Sequence, residues 1–330
     1  MDAVKNFIKM VMPLALLGSA LILLSAIFAG KLSIGVVTFP QIYFLFKFVA
    51  CFLLILSLLF IVESLKASNR FVNQETKQLD IGALWQSLSM KSAMLTGGGV
   101  MALVILSING NSNLIEIYRT STTVWRDNLL WDIEEPLFRA LIASDFLFLK
   151  FWECVYYLMW VYVLLVMAAL VKKDRAESYM TFAIAIVLAF YCTTLVAMFF
   201  PVAGPEYYRP ELFAYLKGST SKHLQDLLRD YQMGRIPQNG LFYGMMAMPS
   251  LHVALTAMAT WFVARHWRPA LWCAIPSAVL IWISTVVLAW HYALDGVAAL
   301  AMAFLCVVIA NKIVKFSRRL TGGPLDAGQL

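Results

Sequence analysis

Eight apolar runs, each about as long as a membrane crossing, decide most of what this chain can become. They cover residues 10–30, 41–64, 93–109, 147–171, 179–200, 249–265, 269–289 and 291–314. A helix needs about 20 residues to cross about 30 Å of hydrocarbon. With 61% hydrophobic and only 14% charged residues, a soluble domain of this size could not hide its apolar surface. The expected fold class is therefore all-α, a polytopic membrane protein of about eight transmembrane helices. The sixth run is short, and the seventh contains Pro276, which predicts a kink. The first run is too long for the apolar part of a signal peptide, and no small-residue cleavage site follows it. It is read as a retained helix.

Basic residues orient the spans. Lys5 and Lys9, then Lys66, Arg70, Lys77 and Lys91, then Lys172, Lys173 and Arg175, then Arg265 and Arg268, and finally Lys312, Lys315, Arg318 and Arg319 fall in alternate connections. The 110–146 loop instead carries Asp127, Asp132, Glu134, Glu135 and Asp145. Both termini are expected in the cytoplasm of an integral plasma- or inner-membrane protein, with 110–146 and 201–248 on the extracytoplasmic side. The net charge of +7 fits this cytoplasmic collar. No basic stripe alternates with stacking aromatics, so nucleic acid is not an expected partner.

The division expected from this pattern is a two-helix extension with a cytoplasmic loop (1–92), a core of six helices (93–315) and a cytoplasmic tail (316–330). A short helix is expected around "IGALWQSLSM". The two long outer segments are the only places to build a cap. In "KHLQDLLRDYQMG", Leu224, Leu227 and Leu228 share one face and Gly234 ends the helix. Such a helix suits the rim of a lipid entrance. Cys51, Cys154, Cys192, Cys273 and Cys306 all lie in spans without metal-ligand spacing, and are read as small buried hydrophobes. Lys150 and Glu153 are spaced to pair with each other. Gly97-Gly98-Gly99 suits close helix packing.

Four histidines are present: His223, His252, His266 and His291. His223 and His266 sit in polar surroundings and are read as solvated. His252 and His291 open the outward ends of the sixth and eighth spans, so both reach one membrane depth. Asp295 follows His291 at i+4, the spacing of one helix face. A carboxylate on one imidazole nitrogen fixes the tautomer, frees the other nitrogen's lone pair and stabilises the ring once it gains charge. Ser284 ends the preceding span at similar depth. In "MPSLH", Pro249 suits a helix start and Ser250 can bond an orphan amide. The first turn of a helix is an anion site, and His252 would sit beside a phosphate bound there.

"PSLHV" followed by S-x6-H-x3-D (Ser284, His291, Asp295) resembles the second and third signature motifs of the type 2 phosphatidic acid phosphatase superfamily. Leu251, where phosphatases usually have Gly, resembles the inositol phosphorylceramide synthase branch and its bacterial relatives. "FFPVAGP" (199–205) and "LLWDIEEPLF" (129–138) are similar to segments of those relatives. The resemblance covers about residues 93–314 and implies a six-helix phosphatidic acid phosphatase-like core. Two departures stand out. Arg209-Pro210 remains of the first motif, but Val202 replaces its lysine, and Thr285 replaces the arginine of the third motif. Lys217, Lys222, Arg229, Arg235, Arg119, Arg126 and Arg139 are candidate replacements.

The resemblance implies that His291 attacks a lipid-linked phosphorus and forms a phosphohistidine. His252 would protonate the leaving oxygen and then deprotonate the acceptor, and Asp295 would orient His291. Pro249, Ser250, Ser284, Arg209 and Tyr292 are the expected phosphate- and substrate-binding residues. No cofactor or metal is called for. The donor would be a phospholipid or a polyprenyl or sphingolipid-type phosphate, and the acceptor an alcohol or lipid. Hydrolysis, with water as acceptor, is the alternative. A flippase or channel is a third, disfavoured because the polar groups gather at one depth rather than lining a path.

Overall fold

The computed structural model describes residues 2–32, 42–66, 88–144, 148–173, 175–236 and 244–321. Among them there are twelve α-helices and no strand. These are α1 (Asp2–Lys31), α2 (Ile42–Lys66), α3 (Leu88–Asn109), α4 (Asn111–Ser121), α5 (Asp127–Ile142), α6 (Leu149–Lys172), α7 (Ala176–Phe199), α8 (Pro205–Tyr208), α9 (Thr220–Gln232), α10 (Leu251–His266), α11 (Leu271–Val287) and α12 (Ala293–Thr321). Residues 210–216 and 268–270 form 3₁₀ turns.

Among the described residues, six stretches are long and apolar enough to cross a membrane: Phe7–Lys31, Ala93–Ser121, Leu149–Lys172, Ala176–Phe199, Arg268–Val287 and Ala293–Leu320. The other two expected spans correspond to α2, with its apolar stretch Lys47–Val62, and to the 16-residue α10. α10 is flanked by α6, α7, α11 and α12. It buries residues around much of its circumference, from Val253 and Ala254 to Phe262 and Val263, as a helix enclosed by protein should. α7 packs on α12, α10, α3 and α4 and is the other central element. Side chains such as Leu16, Leu54, Trp272 and Phe304 remain exposed on the outer helices. That belt would be costly in water and is ordinary in lipid.

The glycine triplet lies where helices meet. A Cβ on Gly97 would come within 2.9 Å of the Phe52 ring and 3.3 Å of Val171, so a larger residue would push α2 and α6 off α3. α11 continues through Pro276.

Several local expectations change. Residues 111–121 are not part of an outer cap. Gly110 has helical dihedrals, and α4 extends the α3 span against α1 and α7. Its asparagines look like loop residues in sequence, but their side-chain amides donate across the bundle. Asn111 Nδ2 donates to Thr194 Oγ1 at 2.9 Å, and Asn113 Nδ2 to Ser25 Oγ at 3.4 Å. Cys51, Cys154 and Cys273 lie exposed on the outer helix faces, Cys192 is half-buried, and only Cys306 is buried. Glu153 does not pair with Lys150. Its Oε1 accepts the Ser221 N–H at 2.7 Å and caps α9. The helix expected around 81–90 lies largely outside the described residues, only its last three residues opening α3.

The cap is built from α5, α8, α9 and the connections between them. It encloses its own apolar cluster, which includes Trp131, Phe138, Phe213, Leu216, Leu228 and Tyr292. It sits at the end of the bundle where α10 and α12 begin, which is where the two histidines of interest lie.

Candidate active site

Ser250 is the N-cap of α10, its Oγ accepting the Val253 N–H in a long 3.5 Å contact. His252 occupies the first turn that follows. Pro249 lies just outside the cap rather than within the helix, behind a cis Met248–Pro249 peptide. The Ser250 N–H donates to the Asp295 carbonyl at 3.1 Å. This bond ties the start of α10 to the start of α12.

His291 is not inside a helix. α11 ends at Val287, Ala289 takes a left-handed conformation (φ 52°), and the chain swings back. The Trp290 and His291 amides both donate to the Thr285 carbonyl, at 3.0 and 3.2 Å. α12 begins only at Ala293, so the i,i+4 relation to Asp295 does not come from a shared helix face. Asp295 instead folds back over the helix start, and its Oδ2 accepts the Tyr292 N–H at 2.8 Å, the carboxylate half of a capping box.

The nearest partner of His291 Nδ1 is the Ala247 carbonyl, at 2.7 Å. Asp295 Oδ2 is further, at 3.4 Å. A carbonyl oxygen only accepts, so Nδ1 carries the hydrogen and Nε2 keeps its lone pair. The expected tautomer is thus held mainly by a backbone group. The carboxylate lies close enough to stabilise a positive ring.

His252 and His291 face each other with ring centroids 6.2 Å apart and planes at 56°. Both line a cavity of about 320 Å³. Tyr156 stacks on His252 at 4.2 Å, Trp160 meets its edge at 6.5 Å, and Trp290 stacks on Tyr156 at 6.0 Å. This aromatic wall fixes the rotamer of His252. Leu224 and Leu228 of α9 close another side of the cavity, so the amphipathic helix turns its apolar face toward the site.

Three expected site residues are placed elsewhere. Ser284 is fully buried, and its hydroxyl donates to the Ile281 carbonyl of its own helix at 2.6 Å. Tyr292 is also fully buried, its hydroxyl 3.3 Å from Asp127 Oδ1. Arg209 is exposed, lies over the Tyr208 ring at 5.0 Å and stands 3.9 Å from Glu211. None of the three lines the cavity, and neither do Pro249 and Ser250.

Six of the seven candidate replacement cations are engaged too, and the seventh, Lys217, is exposed. Arg229 and Lys222 both bind the fully buried Glu206, at 2.9 and 3.2 Å. Arg119 pairs with Glu116, Arg139 with Glu135 and Arg235 with Asp230. Arg126 lies over the Phe200 ring. Among the described residues that line the cavity there is no lysine or arginine. Arg229 comes within one side chain of it, 5.3 Å from the ring of Tyr207, which does line the cavity.

A matching model of the PAP2 superfamily spans residues 124–309, more than half of the sequence. The chain belongs to the PAP2 superfamily. Comparisons with curated proteins and with solved structures gave no match. PAP2 membership places the chain among phosphatase-type enzymes, lipid phosphatases or phosphotransferases, and together with its apolar helices makes it an integral membrane protein. The PAP2 match takes in His252, His291 and Asp295, and leaves α1 to α4 outside.

Sequence reasoning missed the supports beneath this PAP2 site. Asp127 Oδ2 and Oδ1 accept the Ala203 and Gly204 amides at 2.9 and 2.8 Å. The Val202 carbonyl accepts the Ala247 N–H at 2.7 Å, and the Ala247 carbonyl holds His291. The "PVAGP" segment is therefore a backbone bracket under the histidine. Glu134 accepts the Ala293 and Leu294 amides, both at 2.7 Å, capping α12 from a separate helix. Burial pushes the Asp127 and Glu134 carboxyls up from their ordinary range, and their backbone donors pull them part of the way back. The available signal was four acids, Asp127, Asp132, Glu134 and Glu135, inside the otherwise apolar "DNLLWDIEEPLF".

Proposed function

We propose that this chain is a phosphotransferase that moves a phosphorylated head group from a lipid to an alcohol through a phosphohistidine. The observation that carries this reading is the pair of imidazoles 6.2 Å apart on one cavity, one of them with its Nδ1 hydrogen committed to a carbonyl. A single phosphorus fits between such rings.

In the first step the Nε2 lone pair of His291 attacks phosphorus. The bond from phosphorus to the lipid oxygen breaks, and protonated His252 gives its proton to that oxygen. In the second step neutral His252 takes the proton of an acceptor hydroxyl, whose oxygen attacks phosphorus. The N–P bond breaks and the electron pair returns to Nε2. Asp295 supports the positive ring in both steps. The amides of the first turn of α10, with the positive end of its dipole, are suited to the phosphoryl oxygens.

The leucine in "PSLHV" favours a synthase of the inositol phosphorylceramide type. The second reading is hydrolysis with water as acceptor, favoured by the phosphatase-type chemistry general in the superfamily. We further propose that the termini are cytoplasmic and the cavity opens toward the extracytoplasmic leaflet, from the distribution of basic residues. The test is a purified preparation given a panel of labelled phospholipids with and without added alcohol. The expected result is an alcohol-dependent phosphodiester product, lost in His291→Ala. Inorganic phosphate as sole product would establish the second reading, and undiminished turnover in His291→Ala would remove both.

A further inference from the structure

Apolar space also lies beside the histidine cavity, deeper in the bundle. This narrower space of about 50 Å³ shares Phe48, Trp160, Phe190 and Leu255 with the cavity. Among the described residues, no charged, amide or hydroxyl side chain lines the narrower space. Its walls are stripes at helical spacing that recede from the histidines. On α6 they run through Trp160, Val163, Leu164 and Met167, and on α3 through Ile108, Ile105, Val104 and Met101. On α6 alone the distance from Tyr156 to Met167 is about 16 Å of helix. One end of the combined space therefore holds the ionisable groups, and the rest is hydrocarbon-like.

We infer that this crevice seats one hydrocarbon chain of the phosphate-bearing lipid, and that α2 and α3 thereby set which chains the enzyme accepts. The inference rests on the lipid phosphotransfer reading above and names its substrate more narrowly. Three observations carry it. The crevice adjoins the cavity where the phosphate would sit and shares four lining residues with it. It is too small for two chains side by side. One wall comes from Phe48, Met101, Val104 and Ile105, all outside the PAP2 match. Phe48 and Trp160 meet edge-to-face at 5.0 Å at the junction between the two spaces, so a chain passes beside that pair to go deeper.

Photolabelling of the protein in lipid nanodiscs tests this without requiring turnover. One probe is a long-chain phosphatidic acid with a diazirine near the end of an acyl chain. Its isomer carries the diazirine beside the glycerol. The chain-end probe is expected to label Met101, Val104 or Met167, in wild type and in His291→Ala alike. The glycerol isomer is expected to label cavity residues such as Met246 or Tyr207. Excess unlabelled long-chain phosphatidic acid should compete and a hexanoyl analogue should not. Chain-end label confined to outward residues such as Leu158, Val161 and Phe304 would overturn the inference. Crevice labelling without turnover of any phosphate ester would sink the phosphotransfer reading and leave the chain site standing. Met101→Phe and Met167→Phe, close in volume to the native side chains, should raise KM for long-chain donors several-fold and leave short-chain donors unchanged. Folded variants with an unchanged chain-length profile would also count against it.

Discussion

At the scale of single residues, Asp295 has two separable jobs. Its carboxylate caps the Tyr292 amide and stands 3.4 Å from His291 Nδ1. Asp295→Asn keeps an acceptor for the cap and removes the charge. It should lower kcat by roughly 100-fold through loss of support for the charged ring, with the thermal midpoint little changed. Asp295→Ala loses the cap as well and should cost about 1 kcal/mol of stability, visible as a lower midpoint in detergent. Equal midpoints for the two variants would refute the capping role. His252 differs in being held by ring stacking on Tyr156. Tyr156→Leu should therefore reduce kcat while Tyr156→Phe retains it, because the stack needs the ring and not the hydroxyl. Measured rates in which Phe falls as far as Leu would assign the role to the phenol.

At the scale of elements, the site is a meeting of two helix starts braced from the cap. Glu134 caps α12 with two 2.7 Å bonds, and the Asp127 carboxylate holds the bracket at 201–204. Removing the acceptor in Glu134→Ala strands two amides, at about 1–3 kcal/mol for a buried group left unbonded. Glu134→Gln keeps one acceptor and should lose less, in both midpoint and kcat. Gly204 is a sharper test. Its φ is +118°, and an added Cβ would lie 2.7 Å from the Trp290 carbonyl, next to His291. Gly204→Ala should cost about 1–3 kcal/mol in strain and displace the loop that carries His291. A variant with native midpoint and native rate would show that this bracket does not position the loop.

At the scale of the whole molecule, His252 and His291 lie at one end of the bundle and the 3₁₀ turn at 268–270 lies at the other end of α10. In a background with the five cysteines replaced by alanine, Gly218→Cys in the exposed loop before α9 should react with an impermeant maleimide on intact cells. Arg268→Cys should react only after permeabilisation. The opposite pattern would invert the proposed orientation. Much of this architecture was legible in the runs of apolar residues, because hydrocarbon thickness sets a length that a one-dimensional sequence displays directly. The i,i+4 spacing of His291 and Asp295 and the capping serine were legible for the same reason, since each depends on neighbours in the chain. The sequence alone therefore determined a helical membrane protein with two histidines near helix starts. Only the tertiary structure decided that Ala247, not Asp295, makes the closest bond to His291, that Ser284, Tyr292 and Arg209 point away from the cavity, and that Asp127 and Glu134 brace the loop. Those contacts join residues distant in the chain, several through backbone atoms that every residue possesses, so side-chain identity carries almost no trace of them.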